Sequence, residues 1–305
     1  MLFKPLNPML PVWREEPFDD EAYLFEPKWD GARMLLHKQG GRIEAYTRSG
    51  MNVTGLFPEL QEAAQSIRAH TAILDCEGIC LRGDRSVFDD FMHRLRLGRS
   101  DKIKQARTSH PAAWIAFDVL LTTGGEHMQE PLLERKRRLD ELLEPGPALL
   151  KTVCLESKGN ALFELTAKQC MEGIVAKRKT SAYKLNMRSP DWLKIKHTQT
   201  IDAAIVGYRT NPFQLLIGLQ FRTVKNKLVG TVQAGLEAEH REWFFEQIQR
   251  DGIRQEGDTF WVEPRLCCRI QYKDRSDTHQ LRYTRFVSFL PDKRVEDCVW
   301  SYGLQ

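Results

Sequence analysis

Residues 23–33 read Tyr23-Leu24-Phe25-Glu26-Pro27-Lys28-Trp29-Asp30-Gly31-Ala32-Arg33. The apolar run Tyr23 to Phe25 predicts a strand that continues into the charged residues. Successive side chains of a strand point to opposite faces, so Glu26 and Lys28 share one face. Gly31 then offers the backbone angles of a turn. A lysine beside an acid and an arginine is either a surface cluster or a reactive site. Lys-x-Asp-Gly alone fixes three positions and recurs by chance in roughly 1 in 25 chains of this length. The decision therefore falls to the segments around it.

Three of those segments set polar groups inside apolar strands. In Ile73-Leu74-Asp75-Cys76-Glu77-Gly78-Ile79, period two groups Asp75 and Glu77 with Ile73 and Ile79, so two acids face partly inward. In Trp114-Ile115-Ala116-Phe117-Asp118-Val119-Leu120, Asp118 interrupts an otherwise apolar strand. In Glu172-Gly173-Ile174-Val175-Ala176-Lys177-Arg178, an acid opens and two cations close the run. Each admits a structural ion pair as well as a ligand site. Further on, Trp192-Leu193-Lys194-Ile195-Lys196 sends Lys194 and Lys196 to one side and Leu193 and Ile195 to the other. Two ammonium groups on one face repel unless solvent screens them or an anion lies between them. A polyphosphate is such an anion.

The texture changes near residue 198. Before it, strand-like runs (Ile73 to Leu81, Trp114 to Leu121) alternate with helical ones (Gln61 to Ala69, Leu133 to Leu143). After it come four β-rich runs, Ala203 to Tyr208, Leu215 to Phe221, Leu228 to Gln233 and Phe260 to Tyr272, with a helix over Glu239 to Arg250. That pattern suits a small five-stranded barrel. We expect an α+β chain of two domains, 1–198 and 199–305, joined by a polar hinge at His197 to Thr200. The length of 305 residues agrees with about two domains.

Composition narrows the class but not the partner. With 42% apolar and 28% charged residues, a disordered or low-complexity chain is excluded. The net charge of +4 is too small to indicate a nucleic-acid partner. Cations cluster only locally: Arg94, Arg96, Arg99, Lys102, Lys104 and Arg107 stand against the single acid Asp101. That run is either a solvated face or a track for phosphates. The seven cysteines lack paired CxxC spacing, so reduced, mostly buried thiols with no metal or redox role are expected. No apolar run approaches about 18 residues and no secretory leader is visible, which points to a cytoplasmic protein without a membrane partner.

Taken in order, Lys28 to Arg33, Thr47-Arg48-Ser49-Gly50, Leu74-Asp75-Cys76-Glu77-Gly78, Phe117-Asp118-Val119-Leu120, Glu172 to Arg178 and Trp192 to Lys196 resemble the nucleotidyltransferase motifs of ATP-dependent DNA ligases. In the second half, Val206-Gly207-Tyr208, Leu228-Val229-Gly230, Trp261-Val262-Glu263-Pro264 and Leu281-Arg282-Tyr283 are similar to the barrel domain of the small bacterial ligases, ligase C and the ligase part of ligase D. The resemblance implies an adenylation domain with antiparallel sheets followed by an oligonucleotide-binding (OB) barrel. It also implies a cytoplasmic, nucleoid-associated monomer that seals nicks in duplex DNA during repair or end joining, with repair or end-binding proteins as partners.

The same resemblance assigns roles. Lys28 would attack the α-phosphate of ATP and carry AMP. Lys194 and Lys196 would disfavour a third ammonium and neutralise the phosphates. Glu172 and Glu77 would hold Mg²⁺, or Mn²⁺ in its place, with Glu77 also near the ribose. Glu26 would accept from the adenine amine, Phe117 would stack on the base, and Arg33 and Arg48 would meet the AMP phosphate and the 5′-phosphate of the nick. With only 27 residues before Lys28, a two-domain clamp is expected to grip the duplex by itself, through Arg94 to Arg107 and the loop Arg209 to Phe213.

One region departs from the family pattern. The last motif keeps Arg282, Asp292 and Lys293 but has Thr284 for a proline and Leu290 for a second arginine, a place Arg285 is offset from. Slower self-adenylation is the expectation. An RNA ligase or a GTP-dependent capping enzyme shares Lys-x-Asp-Gly and a barrel, but Trp192 to Lys196 and Trp261 to Pro264 favour DNA ligase. A nucleic-acid-binding protein with a decayed transferase site is opposed by the retention of Lys28, Glu77, Glu172, Lys194 and Lys196.

Overall fold

The computed structural model describes residues 1–300 apart from Asp84, Pro145, 249–252 and Asp277. Two compact units divide the chain, Met1–Ile195 and a second beginning at Lys196. The first runs through β1 (Leu10–Trp13), β2 (Tyr23–Lys28), β3 (Ala32–Gln39), β4 (Arg42–Thr47), α1 (Leu60–Gln65), β5 (Thr71–Arg82) and β6 (Arg85–Ser86). It continues with α2 (Phe88–Leu95), α3 (Ser100–Ser109), β7 (Ala112–Thr122), β8 (Gly125–Glu126), α4 (Leu132–Leu142), β9 (Leu149–Lys151) and β10 (Leu155–Glu156). α5 (Gly159–Lys168), β11 (Gly173–Arg178) and β12 (Arg188–Lys196) complete it.

Two sheets result. One has the order β1-β12-β11-β2-β10 and the other β4-β3-β5-β7-β8, with β6 paired to β5 and β9 to β7. Strand alternation sorts their residues into three apolar clusters. Met34 and Leu36 of β3 and Leu74 and Cys76 of β5 join Phe57, Phe91 and Trp114 in the largest. Leu35 and Ile73, from the opposite faces of the same strands, meet Phe117, Tyr183 and Trp192 of the other elements. Behind β2 and β11, Tyr23, Phe25, Ile174 and Ala176 pack with Leu162 of α5. The intervening residues Glu26, Lys28 and Lys177 are thereby turned toward the space between the sheets. Burial on the reverse face anchors each functional strand.

Gly31 serves close approach rather than a left-handed turn. A Cβ there would lie 2.2 Å from the carbonyl oxygen of Gly78, and a Cβ on Gly78 would lie 2.3 Å from the Phe91 ring. Because Ala32 pairs with Gly78, the glycines of two motifs touch where β3 meets β5.

The second unit contains β13 (Gln199–Thr210), β14 (Phe213–Leu219), β15 (Lys227–Val232), α6 (Ala238–Gln247), β16 (Arg254–Glu256) and β17 (Thr259–Trp261). β18 (Cys267–Tyr272), β19 (Asp274–Arg275), β20 (Leu281–Arg282) and β21 (Arg285–Leu290) follow. β13 pairs with β14 and β18, β14 with β15, and β18 with β21. An isolated bridge from Ala234 to Arg285 closes the circuit into a five-stranded barrel of the OB type. Its core gathers Ile205, Leu215, Ile217, Val229, Phe244 and Ile270.

Some elements differ from the sequence reading. The helix expected over Gln61 to Ala69 ends at Gln65. Beyond it the Arg68 amide donates to the Leu142 carbonyl at 2.9 Å, and Lys38 donates to the Ile67 and Ala69 carbonyls at 2.6 and 2.7 Å. The run Phe260 to Tyr272 is broken between β17 and β18 at residues 262–266, which include Pro264, a residue without an amide to donate to a ladder. Half of the expected hinge is strand, since Gln199 and Thr200 pair with Tyr272 and Gln271. Of the helix expected over Glu239 to Arg250, residues 249 and 250 lie outside the described residues.

Candidate active site

Lys28 stands at the end of β2, where its ammonium donates to the Glu172 carboxylate just ahead of β11. The pairing follows from register: β2 and β11 are antiparallel, with Gly173 opposite Lys28 and Val175 opposite Glu26. The Lys28 side chain keeps 22% of its surface exposed, so a reagent in the cleft can reach it.

Two residues back along the same face, Glu26 is buried between two cations. Its Oε2 accepts from Lys177 Nζ at 2.7 Å, and its Oε1 is ion-paired with Lys136. Lys177 stands 4.2 Å from the ring centroids of both Phe117 and Trp192, a cation–π geometry. Burial pushes the pKa of Lys177 down to about 8; Glu26 resists that fall and Lys136 adds to it. Lys136 also donates to the Phe117 carbonyl at 2.7 Å. Its neighbour Arg135 holds the Asp118 carboxylate at 2.7 and 2.9 Å. The dipeptide Arg135-Lys136 of α4 thus grips the dipeptide Phe117-Asp118 of β7. Burial favours the protonated acid at Asp118, but Arg135, Lys177 and Lys136 outweigh it and hold the carboxyl below its ordinary range.

Arg33 is clamped by Asp75 through two hydrogen bonds of 2.5 Å and donates to the Met9 carbonyl at 3.2 Å. Its guanidinium carbon lies 4.5 Å from the Phe117 centroid. Burial opposes the charge, yet Asp75 more than offsets it, so the pKa of Arg33 is raised. Tyr183 donates to Asp75 at 2.5 Å, completing a bidentate and hydroxyl grip on that buried acid. The Arg48 amide donates to the Arg33 carbonyl at 3.1 Å, which brings the two arginine segments together through the backbone.

Glu77 is a perturbed acid of the cleft. Burial drives its pKa up to about 7, Lys28 and Arg33 restrain the rise, and Glu172 and Asp30 reinforce it. Glu77 and Glu172 are thus close enough to repel as anions. Among the described residues no set of three or more metal-ligating side chains converges. Two carboxylates with open coordination positions still fit Mg²⁺, which keeps waters and substrate phosphates in its shell.

The structure therefore brings together Glu26, Lys28, Arg33, Arg48, Glu77, Phe117 and Glu172 within the first unit. Lys194 lies on β12, with its ammonium 5.8 Å from the Trp13 ring, and Lys196 ends that strand. Of the last-motif residues, Lys293 is ion-paired with Asp202 at 3.2 Å, Arg282 lies on β20, and Asp292 follows β21. Lys136, Lys177, Arg135 and Tyr183 carried no assigned role in the sequence reading. Their signal there was faint: Arg135 and Lys136 sit in a helix of mostly charged residues and look solvated until α4 is laid on β7.

One expectation is corrected. Arg94 does not belong to a DNA-facing run, because it is fully buried, ion-paired with Glu59 at 2.7 Å and donating to the His110 carbonyl at 2.7 Å. Arg99 pairs with Asp101 at 3.0 Å and Arg107 with Glu62, while Lys102 and Lys104 are exposed on α3.

Residues 8–196 match the family model of the ATP dependent DNA ligase domain. The chain is 30% identical to the SPbeta prophage-derived DNA ligase-like protein LigB of Bacillus subtilis, over 93% of this chain and 98% of that protein. It is 28% identical to the bifunctional non-homologous end joining protein LigD of the same organism, over 96% of this chain and 50% of that one. The chain likewise spans only 59% of DNA ligase 1 of Korarchaeum cryptofilum. Among solved structures, a mycobacterial DNA ligase D complexed with ATP and MES superposes with a TM-score of 0.57 at 24% identity, covering 97% of this chain and 98% of the other.

Proposed function

The chain belongs to the ATP-dependent DNA ligase family, and from that membership we propose that it seals 5′-phosphate/3′-hydroxyl nicks in duplex DNA through an adenylate carried on Lys28. The observation that carries the proposal is the Lys28–Glu172 ion pair beside a Glu77 held near neutrality, in a cleft whose other walls are Arg33 and Phe117.

In the free protein the Lys28 amine is engaged by the Glu172 carboxylate, whereas attack needs the amine neutral and unencumbered. A ligand that draws Glu172 away frees the amine. The amine then attacks the α-phosphorus of ATP, an N–P bond forming as the P–O bond to the β-phosphate breaks. Arg33 and Arg48 meet the phosphate, and Lys194 and Lys196 neutralise the charge that develops on the departing pyrophosphate. A divalent cation, Mg²⁺ or Mn²⁺, held by Glu77 and Glu172, would neutralise phosphate oxygens when bound. Phe117 stacks on the adenine, while Glu26, held by Lys136 and Lys177, accepts from its amine and so discriminates against guanine.

Two further displacements at phosphorus complete the cycle. The DNA 5′-phosphate takes AMP from Lys28, and the adjacent 3′-hydroxyl then displaces AMP. Each reaction depends on alignment and charge neutralisation more than on new covalent chemistry. The first unit acts as the adenylation domain and the OB barrel as its partner on the duplex, with repair or end joining in the cytoplasm as the setting. Intact-mass analysis after incubation with ATP and magnesium tests the reading. Addition of one AMP to wild type, none to Lys28→Ala, and sealing of a singly nicked duplex by wild type alone are expected. A wild-type chain that takes up no AMP refutes it.

A further inference from the structure

Three of the seven cysteines crowd the barrel of the second unit. Cys267 opens β18, between Ala204 of β13 and Leu290 of β21, and its backbone is fixed on both sides by ladders. Cys298 is fixed as well: its amide donates to the Val295 carbonyl at 3.1 Å and its carbonyl accepts from the Gln220 amide at 2.7 Å. The two sulfurs nevertheless meet, Cys298 Sγ donating to Cys267 Sγ at 3.5 Å. Cys267 passes its own proton on toward the Lys293 carbonyl oxygen at 3.4 Å. Cys268, adjacent in a strand, points to the other face.

The thiols are unequal. The hydrogen bond from Cys298 lowers the pKa of Cys267 in spite of burial, while the same bond and burial raise that of Cys298. One sulfur is thus the better nucleophile and the other its neighbour in wait. Access requires local opening of residues 291–299, a segment built from a turn, one short 3₁₀ turn and an isolated bridge.

We infer that Cys267 and Cys298 are a modification site, a dithiol that a peroxide converts to a reversible disulfide tying down the segment that carries Asp292 and Lys293. The Cys267 thiol gives up its proton and its thiolate attacks a peroxide oxygen, breaking the O–O bond to leave a sulfenic acid and a hydroxide, which takes up the released proton as the first water. The Cys298 sulfur then attacks the sulfenic sulfur, an S–S bond replaces the S–O bond, and the second water carries off the remaining proton. Two thiols are oxidised by two electrons and one peroxide is reduced to two waters. Oxidation also removes the S–H that holds the Lys293 carbonyl, so the turn bearing that lysine is reset. The effect on adenylation rests on the ligase reading; the chemistry of the bond does not.

The test uses the full chain carrying Cys154→Ser and Cys170→Ser, since those two thiols lie nearer the surface. One equivalent of hydrogen peroxide, followed by alkylation under denaturing conditions, should lower the count of free thiols from five to three. Peptide mapping should recover Cys267 joined to Cys298, and dithiothreitol should restore five. Adding Cys298→Ser should abolish the linked peptide. Self-adenylation, measured as AMP mass added with ATP, should fall at least threefold on oxidation, recover on reduction, and be insensitive to peroxide when Cys298→Ser is present. Five thiols remaining, or a bridge that involves Cys268, overturns the site. A Cys267–Cys298 bridge with an unchanged adenylation rate overturns its effect on the last motif. If the reduced chain does not adenylate at all, the ligase reading fails while the thiol count and peptide map still decide the bond.

Discussion

Lys136 is ion-paired with Glu26 beneath the cleft and hydrogen-bonded, through the same ammonium, to the carbonyl of Phe117. One side chain from α4 therefore holds both the acid and the backbone of the aromatic residue assigned to the adenine. Lys136→Met should raise the apparent Kd for ATP on the order of tenfold, equivalent to about 1.4 kcal/mol, with a smaller change in the maximal adenylation rate. Lys136→Arg should recover most of the affinity, because it restores the charge beside Glu26. Single-turnover adenylation across ATP concentrations separates the two parameters, and equal affinities in all three proteins would discard the role.

Glu77 makes both stability and rate depend on pH. Its carboxyl, raised by burial to about 7, holds a proton in the folded chain that the unfolded chain releases nearer pH 4.5. The folded state binds more protons in that interval, so this group's contribution to stability is present at low pH and lost as pH rises through 7. Glu77→Gln should flatten that slope, which is worth on the order of 3 kcal/mol across the window. Adenylation should increase through pH 7 in wild type as the carboxylate forms, and be slow and nearly pH-independent in Glu77→Gln. Urea titrations and initial rates at a series of pH values check both.

Gly31→Ala should damage the site from a distance. Its Cβ would fall 2.2 Å from a backbone oxygen, and backbone cannot rotate aside. A loss of about 1–3 kcal/mol or more in stability is expected from such overpacking. Lys28, three residues away, should adenylate more slowly even where the variant is fully folded. A denaturation midpoint and rate matching wild type would contradict the close-approach account.

Arg94 and the α3 lysines should separate folding from DNA binding. Arg94→Met leaves the Glu59 carboxylate buried without its cation, a loss of about 3–5 kcal/mol. The salt dependence of nicked-DNA affinity should then be unchanged in any protein that remains folded. The double variant Lys102→Ala, Lys104→Ala should show the reverse, with unchanged stability and a log–log salt slope shallower by about 0.9 for each phosphate that is no longer neutralised. Fluorescence anisotropy at several salt concentrations measures that slope.

Period-two alternation made much of the site legible in the sequence. It set Glu26 and Lys28 on one face of β2, with Phe25 behind, and distinguished Lys194 from Leu193 and Ile195 on β12. It also turned Asp75 inward, where Arg33 and Tyr183 hold it. Pairing partners supplied by other elements were not legible, because nothing local distinguishes a lysine that will be buried from one that will be solvated. Lys136 and Arg94 both lie in charged helices, and only the packing of those helices on β7 and around Glu59 buries them. Gly31 illustrates a subtler case: its type was legible as special, but the reason, close approach to Gly78, depends on β3 lying beside β5.

The barrel is continuous ladder along four of its joins, whereas the fifth is the single bridge between Ala234 and Arg285. A cylinder with one lightly stitched join has a preferred line of fracture. Under thermal or mechanical load it should unroll there first, and deuterium should reach the Phe286 amide, which donates to the Ala234 carbonyl, before it reaches those of the neighbouring staves.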